Sequence, residues 1–362
     1  MTLSKSVLLA VCILSFYFKI ISINRAFQVT GYCNMNFLHV TGITKKKKQD
    51  YILNDISFTQ QKFTKLAIAG ETGSGKSSLL KIIAGLLQPD AGEIFFNNTK
   101  VPGPNEKLLP GHPSIAYLSQ HFELQNNYKV KDVLEMSNKL PANHAALIFE
   151  ICRINHLLER RTNELSGGEK QRIATARVLI TTPELLLLDE PYSNLDMVHK
   201  QMMKAVINDI SERLNISCIL VSHEPNDTLS WADEIIVMKD GKIIQQATPY
   251  ILYNQPANEY VAGLFGNYNL LTLYQAEAFS HLPGICLNGK NMLVRPENFK
   301  LVSSSLNAVE AIVQQVNYFG AFIQLEVLVA DKTITVTTIN FAIKKGDIVQ
   351  VSLEPPGVWH IS

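Results

Sequence analysis

From residue 36 onward, short apolar runs alternate with segments whose apolar side chains recur every three or four positions. Residues 36–58 read as strands, interrupted by four consecutive lysines at 45–48, and residues 65–69 form a short buried strand that ends at Gly70. Residues 77–87 repeat Leu79, Leu80, Ile82, Ile83, Leu86 and Leu87 on a helical period and stop before Pro89. The proline-rich stretch 101–113 reads as loop and 114–120 as a strand, while 130–160 carries helical patterns broken at Pro141 and Asn155. A helix over 167–180, a strand over 185–188, a helix over 197–214 and a strand over 217–222 follow. Such alternation predicts a parallel sheet covered on both faces. After Trp231 the character changes, because the strand patterns 234–238 and 242–245 flank Asp240-Gly241, a strong hairpin signal. From residue 292 to the end, short strands between turn residues predict a small all-β barrel or sandwich of roughly 70 residues.

Composition limits what this α/β chain can be. With 46% hydrophobic and 18% charged residues it can bury a sizeable core, which excludes disordered and fibrous classes. Lys and Arg total 33 against 32 Asp and Glu, a net charge of +1, so no global field draws it to nucleic acid and none is expected as a partner. The lysine run reads as a solvated hairpin. Cys12, Cys33, Cys152, Cys218 and Cys286 are odd in number and scattered, which supports neither a disulfide framework nor a zinc site and fits a reducing compartment.

Three segments carry chemistry. Gly70, Glu71, Thr72, Gly73, Ser74, Gly75, Lys76 and Ser77, extended by Ser78, form a P-loop between a buried strand and a helix. Its backbone N–H groups can wrap phosphates, Lys76 can reach the β/γ-oxygens, and the Ser77 hydroxyl can ligate Mg²⁺. The run Leu185-Leu-Leu-Leu-Asp189-Glu190 places two carboxylates at the C-terminal end of a buried strand, where such sheets bind ligands. Asp189 suits Mg²⁺ directly or through a water, and Glu190 suits a general base. Ser166 and Glu169 have capping-box spacing, and the intervening Gly167 and Gly168 leave N–H groups open to an anion, which implies a second phosphate contact.

The order P-loop, Gln120, Leu165-Ser-Gly-Gly-Glu169, Leu185 to Glu190, Ser193-Asn-Leu-Asp196 and Val221-Ser-His223 resembles the ATPase subunit of an ATP-binding cassette (ABC) transporter, over residues 36 to about 265. The resemblance implies a P-loop NTPase cassette with a helical subdomain. It makes Gln120 the residue that senses Mg²⁺ and the attacking water, places Asp196 in the D-loop, and sets His223 at the γ-phosphate. It further implies a sandwich dimer in which Ser166, Gly167, Gly168 and Glu169 of one chain close the ATP site of another. Leu293-Val-Arg-Pro-Glu297, with Gln246-Ala-Thr-Pro249, Tyr253-Asn-Gln-Pro256 and residues 266–270, resembles importer ATPases that end in a TOBE barrel and serve sulfate, molybdate, iron, polyamines or sugars. Three departures stand out. Residues 45–48 occupy the place where the family stacks adenine on an aromatic side chain, and the nearest one, Tyr51, is displaced. Glu169 replaces the commoner Gln, and the span from Gln120 to Leu165 is short, which suggests a trimmed helical subdomain.

The expected organisation is an N-terminal extension over 1–34, an ABC ATPase domain over 35–266, a linker over 267–290 and a TOBE-like β-domain over 291–362. The extension has Lys5, Lys19 and Arg25, no acidic residue, and an apolar run over 7–18. It resembles a signal peptide without a clear cleavage site, it is shorter than the about 20 apolar residues of a membrane span, or translation begins at Met35. The last reading is favoured, since the rest demands cytoplasmic ATP. The resemblance implies hydrolysis of ATP with Mg²⁺ by a dimer of this chain, or of this chain with a related ATPase. That dimer would drive a separate membrane permease, contacted through residues 121–160, and indirectly a solute-binding protein, from the cytoplasmic face of the membrane. The rival readings are a soluble cassette acting on ribosomes or DNA and a non-catalytic ATP binder. The first lacks the second cassette or long insertion it would need, and Glu190 and His223 argue against the second.

Overall fold

The computed structural model describes residues 37–120, 124–304 and 306–361, so the expectations for 1–34 lie outside the described residues. Strands β1 (Leu38–Lys47) and β2 (Asp50–Gln60) pair antiparallel around a turn at Lys48, whose φ is +58°. The lysine run is therefore a hairpin tip, but two of its members are tied down: Lys45 pairs with Asp90 at 2.8 Å and Lys46 lies 4.6 Å above the Tyr51 ring. Strand β3 (Lys65–Ala69) leads into helix α1 (Lys76–Ile83). The helix was expected to run to residue 87, but Gly85 turns left-handed at φ +71° and ends it, leaving Leu86 exposed. Strands β4 (Ala91–Phe96) and β5 (Thr99–Lys100) complete a first sheet in the order β2-β1-β4-β5.

Strand β6 (Ile115–Leu118) precedes three helices, α2 (Val130–Glu135), α3 (Ala142–Ile151) and α4 (Gly167–Leu179). Strand β7 (Leu185–Asp189), helix α5 (Met197–Arg213), strand β8 (Ser217–Val221), the short helix α6 (Pro225–Leu229), and strands β9 (Glu234–Lys239) and β10 (Lys242–Ala247) follow. The second sheet has the order β10-β9-β3-β8-β7-β6, parallel except for the β9–β10 hairpin. Its turn residues Asp240 and Gly241 both have positive φ, as the Asp-Gly signal requires. Strand periodicity sends alternate residues to opposite faces. Leu186 and Leu188 enter the core shared with α4 and α5, while Leu185 and Leu187 enter the core shared with α1 and the first sheet. All four are fully buried, which is why β7 reads as an unbroken aliphatic run.

Helices α7 (Pro249–Asn254) and α8 (Glu259–Phe265) lead to the all-β region. Here β11 (Asn269–Leu271) pairs with β12 (Asn291–Val294), which pairs with β18 (Val358–Ile361). A second sheet joins β13 (Phe299–Val302), β14 (Val309–Tyr318), β15 (Ile323–Val329), β16 (Lys332–Thr338) and β17 (Ile348–Leu353) in the order β13-β17-β14-β15-β16. Residues 267–290 are not a bare linker. They contain β11 and helix α9 (Leu273–Ala276), and they bury Leu271, Phe279, Leu282 and Ile285 in the core of the β-region. The patterning missed this because the apolar residues here follow neither period for long.

Arg295 joins the two regions. Its guanidinium is almost wholly buried and donates to the carbonyls of Tyr253 (2.9 and 3.1 Å), Ala262 (3.0 Å), Gly266 (2.9 Å) and Asn267 (3.1 Å). These carbonyls lie at or just beyond the C-terminal ends of α7 and α8, where a cation meets both unpaired acceptors and the negative end of the helix dipole. The Tyr253 ring lies 4.1 Å from the guanidinium and the Tyr253 hydroxyl donates to Glu297 at 2.6 Å. Among the described residues, no helix is long and apolar enough to cross a membrane.

Candidate functional site

The second sheet delivers its chemistry at one edge, because β3, β6, β7 and β8 are parallel and end together. The turn after β3 holds Lys76 folded back on its own loop, donating from Nζ to the carbonyls of Gly70 (2.7 Å) and Glu71 (2.8 Å) and to Ser74 Oγ (3.3 Å). Burial lowers the Lys76 pKa, and the charges of Glu190, Asp189 and Glu71 oppose that shift. In the first turn of α1, Ser77 Oγ donates to Asp189 Oδ1 at 2.9 Å, at the end of β7.

Asp189 has a second partner that the motifs did not single out: the Tyr117 hydroxyl, on the neighbouring strand β6, donates to Oδ2 at 2.8 Å. Burial, and then the adjacent carboxylate, push the Tyr117 phenol well above its usual range, so it stays a donor. Both oxygens of Asp189 are thus fixed. Glu190, the next residue, sits at φ +49°, an uncommon conformation for a glutamate, with its N–H donating to the Val221 carbonyl at 3.0 Å. Its Oε2 accepts from Gln120 Nε2 at 3.3 Å and lies 3.3 Å from His223 Nδ1. Gln120, Glu190 and His223 therefore meet just past the ends of β6, β7 and β8.

Ile52, Thr72, Gly73, Gly75, Lys76, Ser77, Ser78, Gln120 and Glu190 line a cleft of about 290 Å³. Ile52 is the wall that comes from outside the motifs, and among the described residues no aromatic ring lines this cleft. Among the described residues, no group of three or more His, Cys, Asp or Glu side chains could hold a metal by itself. A hydroxyl and one carboxylate suit a magnesium ion that arrives with nucleotide phosphates, since Mg²⁺ uses few protein ligands and completes its shell with substrate oxygens and water.

Ser166, Gly167, Gly168, Glu169 and Asp196 are not among the residues lining this cleft. Ser166 caps α4 by accepting from the Glu169 N–H (3.3 Å), and Glu169 accepts from the Ser166 N–H (2.7 Å) and pairs with Arg160 at 3.2 Å. Asp196 caps α5 by accepting from the His199 N–H at 2.9 Å and holds its imidazole Nδ1 at 2.7 Å. That imidazole explains Gly168: a Cβ there would come within 2.5 Å of the ring. A Cβ at Gly167 would meet nothing within 4 Å. The two adjacent glycines thus have different reasons, tight packing for one and an open face for the other.

Residues 53–193 match the ABC transporter family and residues 292–360 the TOBE domain. The sulfate/thiosulfate import ATP-binding protein CysA of Synechocystis sp. is 31% identical over 315 residues, covering 83% of this chain and 87% of its own. The Fe(3+) ions import ATP-binding protein FbpC of Photobacterium profundum is 27% identical over 347 residues, or 90% of this chain and 98% of its own. Among solved structures, cbiO1 from Clostridium perfringens, part of the ABC transporter complex cbiONQ, has a TM-score of 0.52 and 26% identity, covering 59% of this chain and 89% of that one.

Proposed function

Because this chain belongs to the ATPase subunits of ABC transporters, we propose that its cleft hydrolyses ATP only when a second chain closes over it. The protein is the ATP-hydrolysing subunit of an importer with a C-terminal TOBE domain. On this reading the loop from Gly70 to Ser78 wraps the phosphates, with Lys76 exchanging its carbonyl partners for the β- and γ-oxygens. Ser77, Asp189 and Gln120 would hold Mg²⁺, which when bound neutralises phosphate charge. Glu190 takes a proton from the attacking water, whose oxygen forms the new bond to the γ-phosphorus as the bridge to ADP breaks. Gln120 orients that water and His223 contacts the γ-phosphate. The observation that carries this reading is the meeting of Gln120 and His223 on one oxygen of Glu190, beside the lysine of a phosphate loop.

Ser166, Gly167, Gly168 and Glu169 would complete the ATP site of a partner, a second copy or a related ATPase, with Asp196 at the shared boundary. Their position outside their own chain's cleft supports this, as does the open face of Gly167. The dimer would dock a separate permease through residues 121–160 at the cytoplasmic face of the membrane, with a solute-binding protein acting through that permease. Residues 35–266 would form the ATPase unit and residues 291–362, with the preceding segment 267–290 packed on them, the TOBE-like unit. The named relatives serve an oxyanion and a ferric cation, so the reading stops at import of a small solute. Glu190→Gln should still bind ATP and form a stable dimer with MgATP on size-exclusion chromatography, while turning over at least about 100-fold more slowly. A variant that stays monomeric at saturating MgATP would contradict the sandwich.

A further inference from the structure

Tyr260 lies on α8, outside every phosphate-loop or carboxylate motif, yet its hydroxyl reaches the phosphate loop. It accepts from the Glu71 N–H at 3.1 Å and donates to the Met238 carbonyl at 3.0 Å. The peptide between Gly70 and Glu71 is therefore held at both ends, its carbonyl by Lys76 Nζ at 2.7 Å and its N–H by Tyr260. The same strand that supplies Met238 also supplies Lys239, whose ammonium sits 4.5 Å above the Tyr260 ring. On the other side the loop has no slack, because a Cβ on Gly70 would overlap the Met238 carbonyl oxygen. One phenol thus fastens strand, helix and loop at the point from which Lys76 is hung.

We propose that Tyr260 is a positioning residue for ATP binding, acting through the Gly70–Glu71 peptide to set the place of the Lys76 ammonium before nucleotide arrives. The proposal rests on the reading that this cleft binds ATP. Loss of the hydroxyl leaves the Glu71 N–H without its partner and frees the peptide plane to rotate, which turns the Gly70 carbonyl away from Lys76. A loop that must be reordered by its ligand binds more weakly, since ordering is then charged against affinity. Gln120, Glu190 and His223 hang from other strands, and bound ATP itself returns Lys76 to the β- and γ-oxygens, so the cost falls on binding and the chemical step at saturating ATP is spared.

The test uses the full chain with Tyr260→Phe, which keeps the ring and its packing, and a fluorescent ATP analogue as probe. Kd for the analogue and KM for ATP should each rise about fivefold while kcat stays within about twofold. The melting temperature without nucleotide should stay within about 2 °C of wild type. Wild-type binding by Tyr260→Phe overturns the role. A lowered melting temperature with unchanged Kd also overturns it, because that is what a structural tyrosine gives. Wild-type protein that fails to bind the analogue overturns this role and the proposed function together, so the two failures are distinguishable.

Discussion

Glu190 is held where few glutamates sit, and the surrounding bonds explain how it stays there. A φ of +49° costs on the order of 1 kcal/mol or more, and the N–H bond to Val221 together with the hydroxyl of Ser193 on the Glu190 carbonyl (2.9 Å) offsets it. The result aims the carboxylate at Gln120 and His223. Tyr117 does the equivalent for Asp189 by occupying one oxygen and leaving the other to Ser77. Tyr117→Phe should therefore raise the Mg²⁺ concentration that half-saturates ATP hydrolysis about tenfold, the usual scale for losing the group that orients a ligand. An unchanged Mg²⁺ titration would show that Asp189 needs no such help. Neither tyrosine was legible beforehand. Tyr117 and Tyr260 meet partners 72 and 189 residues away, and nothing in local spacing marks such a contact.

At the scale of elements, α4 shows how one segment serves two ends. Its capping box secures the N-terminus, and Gly168 gives room to His199 of α5, so the signature segment and the Asp196 turn form one knot. Burial raises the Glu169 pKa, but the Ser166 bonds and the charges of Arg160 and Arg172 outweigh this and leave it below the ordinary carboxylate range. A lowered folded-state pKa means that its stabilisation is complete above the unfolded value, about 4.3, and fades as pH falls through the folded value. Glu169→Ala should cost about 1 kcal/mol at pH 7, measured by denaturant unfolding, and the gap from wild type should close in strong acid. A gap that persists at low pH would assign the loss to packing instead. The strands and helices of the cassette were largely readable, because each buries a periodic face. The early end of α1 was not, since Leu86 and Leu87 continue the helical period past the point where Gly85 turns the chain.

Across the whole molecule, the two regions share one buried anchor. In the sequence Arg295 stands only as part of a motif, and its role appears only when the ends of α7 and α8 are brought to it from positions 253 to 267. Helix α8 then carries Tyr260 to the phosphate loop at one point and the Ala262 carbonyl to Arg295 at another, so the TOBE-like unit and the nucleotide cleft rest on the same short helix. On the proposed reading the cleft is half a site, with loop, carboxylates, amide and imidazole assembled and the Ser166 segment outside it. The measurement that bears most directly on this is ATP turnover per chain across a dilution series, with oligomeric state followed in parallel by sedimentation. Turnover per chain should fall toward zero as the paired fraction falls. A constant rate in samples that sediment as single chains would contradict the two-chain engine.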